Sequence, residues 1–177
     1  LGRHAEFLGR APGEGREARP QARERKAMTP IEFFVPGECK TAGSKRGFAF
    51  RRKNGKLGVA ISDDAGEKGK LWRNDVKVFA HKAYGQRPLL GGALRLYLTF
   101  IVERPQCHFG SGKNAAKLKP SAPMHHLQKP DVLKLARAVE DALTGVVWRD
   151  DCLIVSEILA KDWGVMPGVR VKIETLT

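Results

Sequence analysis

The sequence is poor in cysteine and has no long apolar segment, and both shortages argue against whole classes of protein. Its three cysteines, Cys39, Cys107 and Cys152, are widely spaced and include no C-x-x-C pair, which argues against a disulfide framework or a zinc ribbon. No run of eighteen apolar residues occurs, and residues 1–27 lack the apolar stretch of a secretory signal. We therefore expect a soluble, cytoplasmic protein with reduced thiols.

Motifs for nucleotide and acyl-transfer chemistry are also missing. The chain has no G-x-x-x-x-G-K-[ST] loop, no G-x-G-x-x-G turn and no G-x-S-x-G elbow, so we expect neither a nucleotide cofactor nor serine-hydrolase chemistry. The pairs Cys107-His108 and His125-His126 lack the spacing of tetrahedral metal ligands. We therefore do not expect these two pairs to form a zinc site.

Acidic residues are scarce relative to basic ones. With 32 lysines and arginines against 19 aspartates and glutamates, the 177-residue chain has a net charge of +13 and a pI near 10.0. So much positive charge repels itself unless an anionic partner neutralises it. We predict nucleic acid as that partner, ahead of an anionic membrane surface or an acidic protein.

The composition predicts one folded domain preceded by a tail. Residues 1–27 hold seven basic residues and four glutamates among glycine, alanine and proline, a composition typical of disorder. Because the first methionine is Met28, directly before a strand-like segment, we expect that residue to be the natural start. The predicted domain is then 28–177, long enough to bury a core of its own.

Periodicity and turn residues predict an α+β fold. Residues 48–61 predict a hairpin with a type I′ turn at Asn54-Gly55, and alternation over 94–102 predicts a half-buried strand. Further strands are expected over 31–35, 153–158 and 169–173, and helices over 68–84 and from a cap at Asp131 to Gly145. We expect two layers, with two main helices against a mixed or antiparallel sheet.

Charge is distributed unevenly along the chain. Residues 38–129 hold 19 basic and 6 acidic residues, whereas residues 131–177 hold 6 basic and 8 acidic ones. A basic half that holds a phosphodiester and an acidic half that holds a metal ion fit a metal-dependent nuclease. A solvated charged surface is the alternative that charge alone leaves open.

One long segment carries the most specific signal in the chain. Residues 129–151 read KPDVLKLARAVEDALTGVVWRDD. They resemble the signature of RusA-like Holliday-junction resolvases, in which K-P-D-x-D-N/K opens a helix, D-A-L-x-G follows and W/Y-x-D-D precedes a strand. The stretch Gly43-Ser-Lys-Arg46 and the pair Leu71-Trp72 are similar to further features of phage-type members. The resemblance covers about residues 31–173.

The resemblance implies a homodimeric enzyme that binds four-way DNA junctions and makes paired nicks with Mg²⁺, or with Mn²⁺ in its place, in bacterial or phage recombination and repair. It implies that Asp131 and Asp151 are catalytic metal ligands, helped by Asp150. Mg²⁺ prefers such carboxylate oxygens. A helix and a return loop, twenty residues in all, are able to bring Asp131 and Asp151 to one end of the helix.

Arg137 falls where the family often carries lysine or arginine. A cation there is suited to stabilising the charge that develops on a scissile phosphate, so the resemblance makes Arg137 a candidate catalytic residue. A surface arginine that pairs with Glu140 or Asp141 is the alternative.

Basic residues outside the acidic half predict a DNA-contacting loop and hairpin. Their cations would meet phosphates, and Phe48 or Phe50 between them would stack on an unpaired base. The alternative is that both phenylalanines belong to the core and the cations are merely solvated. The predicted DNA-binding residues are Lys45, Arg46, Arg51, Arg52, Lys53 and Lys129.

The chain departs from the family signature at Leu133, where the family has a second aspartate. On a helix this position shares a face with Arg137 and Glu140, away from the apolar stripe. Glu140 lies two turns away, about 10.5 Å along the axis, and is not expected to reach the same metal. Because Mg²⁺ needs several oxygen ligands, we expect impaired or absent cleavage with DNA binding retained. The alternatives are a catalytically silent junction-binding protein and, more weakly, a basic RNA-binding protein.

Overall fold

The computed structural model describes residues 29–43, 45–63 and 66–176. The predicted tail, 1–27, and the predicted start at Met28 lie outside the described residues. The strands are β1 (Ile31–Pro36), β2 (Lys45–Arg51), β3 (Leu57–Asp63), β4 (Leu94–Glu103), β5 (Ile154–Gly164) and β6 (Gly168–Thr175), and the helices are α1 (Gly66–Tyr84) and α2 (Val132–Leu143).

A four-stranded mixed sheet in the order β1-β6-β4-β5 forms one layer of the domain. Strand β4 is central, pairing antiparallel with β6 and parallel with β5. Its alternate residues Leu94, Leu96, Leu98 and Phe100 are completely buried, because successive side chains of a strand point to opposite faces. The predicted α+β class and the half-buried strand are confirmed.

Both helices pack on the buried face of this sheet and form the second layer. In α1 the residues that meet the core are spaced four apart, at Trp72, Val76, Ala80 and Tyr84, which places them along one side of the helix. In α2 the buried residues are Leu135, Ala136, Ala138, Val139, Ala142 and Leu143. Within the described ranges, neither helix has the long apolar stretch needed to cross a membrane.

The β2–β3 hairpin forms where it was predicted, but its turn is of another type. A type I′ turn needs positive φ at both central residues, and among the described residues only glycines have positive φ. Gly55 has a φ of +77° and donates its N–H to the Arg52 carbonyl at 2.8 Å, while the Arg52 N–H bonds to Lys56 O at 2.9 Å. The turn is therefore a three-residue loop with a left-handed glycine, and the type I′ prediction is wrong.

Strand β5 is longer than predicted because it pairs with β4 along its whole length. Its far end carries Trp163, which belongs to no motif that indicates a function. The Trp163 ring lies 4.6 Å from the His126 ring, 5.4 Å from the His108 ring and 5.1 Å from the Arg104 guanidinium. These three residues belong to the long loop between β4 and α2, so Trp163 anchors that loop to the sheet.

We predict that Leu98→Ala lowers the free energy of unfolding by about 2–5 kcal/mol, because it leaves a cavity in the centre of the core. Urea denaturation of the full chain measures this change. The control is Ile158→Ala on the neighbouring strand, where the side chain is half exposed, and its cost should stay below about 1 kcal/mol. Equal losses would contradict the assignment of the core to the helix-covered face.

Candidate active site

The family-like segment 129–151 folds as α2 and the loop that follows it. The apolar stripe of α2 faces the sheet, which leaves the opposite side of the helix in solvent. Leu133 and Arg137, one helical turn apart, lie on this exposed side, and Leu133 is 68% exposed. No ion pair joins Arg137 to another residue in the described part of the chain. The exposure of Leu133 agrees with the expectation that it lies away from the apolar stripe of the helix.

Asp131 stands at the N-terminus of α2. It occupies the N-cap position with extended backbone, but its side chain accepts no capping hydrogen bond. One of its oxygens, Oδ2, lies 3.5 Å from Nζ of Lys134 in an exposed ion pair. The carboxylate is therefore held only loosely and remains available to a ligand. The predicted DNA contact Lys129, two residues earlier, is also exposed.

A compact turn at the C-terminus of α2 reverses the chain. The Gly145 N–H bonds to Trp148 O at 2.8 Å, and the indole N–H of Trp148 donates to Oγ1 of Thr144 at 3.1 Å. Trp148 is fully buried, and Leu90 donates its N–H to Val147 O at 2.9 Å. Trp148 therefore fixes this loop by packing.

The two aspartates that end the segment have different surroundings. Oδ1 of Asp150 accepts a hydrogen bond from the Cys152 N–H at 2.9 Å and so caps the short helical turn Asp151–Leu153. This bond lowers the pKa of Asp150. The nearby Asp150 carboxylate raises the pKa of the Cys152 thiol. Asp151 does not serve as the cap, and its side chain is exposed.

Within one chain, Asp131 and Asp151 do not lie together. Helix α2 runs antiparallel to β5, since Lys161 near the end of β5 donates to Pro130 O at 2.9 Å while Glu157 bonds to Glu140. Asp131 thus stands at one end of α2 and Asp151 near the other, roughly 18 Å of helix apart for twelve residues. The expectation that one helix end holds both carboxylates is wrong for a single chain, because the return loop closes at the C-terminus of α2 instead of running back along it.

Asp151 instead shares an open cleft of about 430 Å³ with Glu140 and Glu157. Partial burial, a hydrogen bond with Glu157 and the negative charges of Glu157, Asp151 and Asp141 raise the pKa of Glu140 to about 8. The Glu140 carboxyl is therefore protonated near neutral pH. This arrangement gathers three carboxyl groups, those of Glu140, Asp151 and Glu157, around one cleft.

The sequence alone does not predict this cleft. Glu140 is indeed far from position 133 along α2, and Glu157 belongs to none of the motifs that the sequence contains. The alternation of β5 contained a signal, since Glu157 occupies the same face as Leu159, which packs on the core. A carboxylate on the helix-facing side of a strand requires a polar neighbour.

The predicted DNA-binding residues fall in two places. Arg51, Arg52 and Lys53 are exposed near the tip of the β2–β3 hairpin. Lys45 and Arg46 begin β2, but their side chains lie outside the described residues. Lys129 stands on the body of the domain, before α2. The hairpin and the cleft thus belong to separate parts of the fold.

The single chain does not gather a complete set of metal ligands. Across 29–43, 45–63 and 66–176, no group of three or more histidine, cysteine, aspartate or glutamate side chains is placed to hold a metal ion. Asp150 is engaged as a cap, and Asp131 is remote from Asp151. The carboxylates of one chain therefore do not fit a divalent cation by themselves.

Comparison with known families relates the chain to the endodeoxyribonucleases, a class of DNA hydrolases. The profile described as endodeoxyribonuclease RusA matches residues 40–174, from the loop after β1 to the last strand. The chain therefore belongs to the RusA endodeoxyribonuclease family, whose members resolve Holliday junctions and generally depend on divalent metal ions. A search of curated proteins found no match.

We predict that Glu140→Gln makes the stability of the protein less dependent on pH. Because the pKa of Glu140 is raised from 4.5 to about 8, the folded state binds more protons than the unfolded state between these values. The free energy of unfolding of the native protein should therefore fall as pH rises through this window.

Thermal unfolding of the full chain at pH 5, 6.5 and 8, without divalent metal, measures the effect. The variant should show a shallower fall in Tm and a higher Tm at pH 8. Glu103→Gln, at an exposed carboxylate, serves as the control and should follow the native profile. An unchanged slope in Glu140→Gln would contradict the raised pKa.

Proposed function

We propose that this chain is a Mg²⁺-dependent endonuclease of four-way DNA junctions whose activity is impaired by Leu133. The observation that carries the proposal is the arrangement of the signature residues along α2 and at its two ends. The exposed side of α2 presents Leu133 and Arg137, Asp131 stands at its start, and Asp151 opens the cleft at its other end. Family membership over residues 40–174 supports the substrate and the reaction class.

We propose further that the active site is assembled from two copies of the chain. Asp131 and Asp151 are roughly a helix length apart in one chain, so a two-fold related copy is needed to bring the Asp131 of one chain to the Asp151 of the other. Two-fold symmetry then creates two such sites. A pair of sites suits the paired nicks that resolve a four-way junction.

In this site Asp131 and Asp151 would hold Mg²⁺ with help from Asp150, and Mn²⁺ would substitute for it. The bound ion supplies a Lewis acid for the phosphate and an acidified water. Arg137 and Lys45 would position the scissile phosphate, since their positive charges complement the charge that develops on its oxygens. The remaining cations of the hairpin, with Lys129, would bind the flanking phosphates.

A second candidate function is favoured by one observation, the exposed leucine at position 133. An apolar side chain there removes a carboxylate from the expected ligand set and makes no compensating core contact. A chain that keeps the basic hairpin and the fold but lacks this carboxylate would bind junctions without cutting them. The two candidates differ only in whether the remaining ligands suffice for cleavage.

We predict that Leu133→Asp increases cleavage of a labelled four-way junction at least about tenfold, because it restores an oxygen ligand on the exposed side of α2. Cleavage is measured in Mg²⁺ and in Mn²⁺, after gel shift has shown that both proteins bind the junction. Leu133→Asn, which adds a polar group without charge, is the matched control and should restore much less.

The native chain decides between the two candidates in the same assay. Weak cleavage by the native chain supports the impaired enzyme, and no cleavage supports the silent binder. If Leu133→Asp also fails to cut although it binds, the proposed ligand set is wrong.

We predict that two inactive variants complement each other. In the Leu133→Asp background, Asp131→Asn and Asp151→Asn should each lower cleavage about 100-fold or more, because each removes a metal ligand from both sites of the dimer. A mixed dimer keeps one site with both aspartates, so mixing the two proteins should restore nicking to a sizeable fraction of the parent rate.

The measurement is single-strand nicking of a junction after the two variants have been mixed and allowed to exchange subunits. The control is Asp141→Asn, which changes an exposed carboxylate of α2. It should retain the parent activity without being mixed with another variant. Absence of complementation, with dimers present in both samples, would contradict a site shared between chains.

A further inference from the structure

The hairpin of β2 and β3 stands apart from the rest of the fold. It forms a two-stranded sheet separate from the four-stranded one. Among the described residues, its strands make their extensive contacts only with each other. An isolated two-stranded ribbon buries little apolar surface of its own, so its side chains are available to a partner.

Two aromatic rings lie on one face of this ribbon. Phe48 and Phe50 point the same way because they are two residues apart in β2. Their cross-strand partners, Ala60 and Gly58, are small, and the rings are 54% and 45% exposed. A Cβ on Gly58 would lie 2.9 Å from Cζ of Phe50 and 3.0 Å from Nε of Arg52. The Phe50 ring and the Arg52 guanidinium therefore lie together above Gly58.

The positive charge of the hairpin indicates which partner the two rings contact. Residues 45–56 contain six lysines and arginines and no acidic residue, so the ribbon of a second copy would be repelled. A nucleic acid is attracted by the same charges, and it carries bases whose π faces stack on aromatic side chains. Bases are open to such stacking where the duplex is interrupted, as at the branch point of a junction.

We infer that the β2–β3 hairpin is a wedge that enters the branch point of a DNA junction and stacks Phe48 and Phe50 on unpaired bases. The cations at its tip, Arg51, Arg52 and Lys53, bind the phosphates beside the opening. This inference rests on the proposed function, because it names the part of the junction that the hairpin contacts. The hairpin would then open the branch point of the junction, a role separate from that of the carboxylates.

The test uses the full chain, a four-way junction carrying 2-aminopurine at the branch point, and a linear duplex of the same arm sequence. Binding of the native chain should change the fluorescence of the branch-point base. The double variant Phe48→Ala/Phe50→Ala should lose this change and bind the junction about tenfold more weakly or worse, since stacking on each base stabilises binding substantially. Its affinity for the linear duplex should change less than about twofold.

A matched control comes from the other face of the ribbon. Leu57 and Val59 are 74% and 71% exposed and pair with Arg51 and Ala49, so they point away from the two rings. Leu57→Ala/Val59→Ala removes a similar amount of exposed apolar surface from the same two-stranded element. It should leave both the fluorescence change and the affinity for the junction near native values.

A second variant keeps the apolar content of the ribbon in case alanine disturbs its folding. Phe48→Leu/Phe50→Leu should behave like the alanine variant, because leucine has no π face, and native behaviour of this variant would overturn the stacking. Equal weakening of junction and duplex binding would overturn the wedge in favour of general DNA attachment. Loss of dimers in sedimentation of the phenylalanine variants would assign the rings to a second copy instead. A native chain that binds duplex as tightly as junction would overturn the proposed function itself.

Discussion

The packing of α2 against the four-stranded sheet determines where every residue of the family signature stands. Its buried stripe, which includes Leu135, Val139 and Leu143, faces the core, and burial of each such side chain contributes about 1.5–3 kcal/mol. This contact fixes both the rotation of the helix and its antiparallel direction to β5. The exposed position of Leu133 and Arg137, the remote position of Asp131 and the closeness of Glu140 to Glu157 all follow from it.

Much of the fold could be predicted from local patterns. The alternation in β4 and the spacing of apolar residues in α2 report burial directly, because each side chain position repeats with the period of its element. The Asn54-Gly55 pair predicts the hairpin correctly, but it does not predict the type of the turn. A single left-handed glycine within a three-residue loop is compatible with the same sequence. The backbone φ angles and the hydrogen bonds of Arg52 distinguish the two turns.

The candidate site was less accessible to sequence reasoning. The identity of the carboxylates came from a pattern over 23 consecutive residues, 129–151, but sequence separation does not say at which end of a helix a return loop finishes. The contact between Glu140 and Glu157 is likewise a tertiary one, between a helix and a strand that are paired only through the core. Trp163 gave no signal because its neighbours His108 and His126 come from a loop without periodicity.

Charge divides the molecule between two tasks. The hairpin carries cations and exposed rings and has little packing with the body. The cleft beside Asp151 carries carboxyl groups instead, and partial burial together with their mutual repulsion raises the pKa of Glu140. Anionic DNA is attracted by the first and repelled by the second unless cations are present. DNA attachment and the proposed chemistry therefore fall mainly in different parts of the fold.

Sedimentation of the full chain with a four-way junction is the most direct test of a dimeric protein that prefers branched DNA. Ca²⁺ is present as a divalent cation chosen to limit cleavage. We predict a complex of two chains with one junction, and an excess of linear duplex should not dissociate this complex. A complex of one chain per junction, or a complex that linear duplex displaces at equal concentration, would contradict a dimeric protein built for branched DNA.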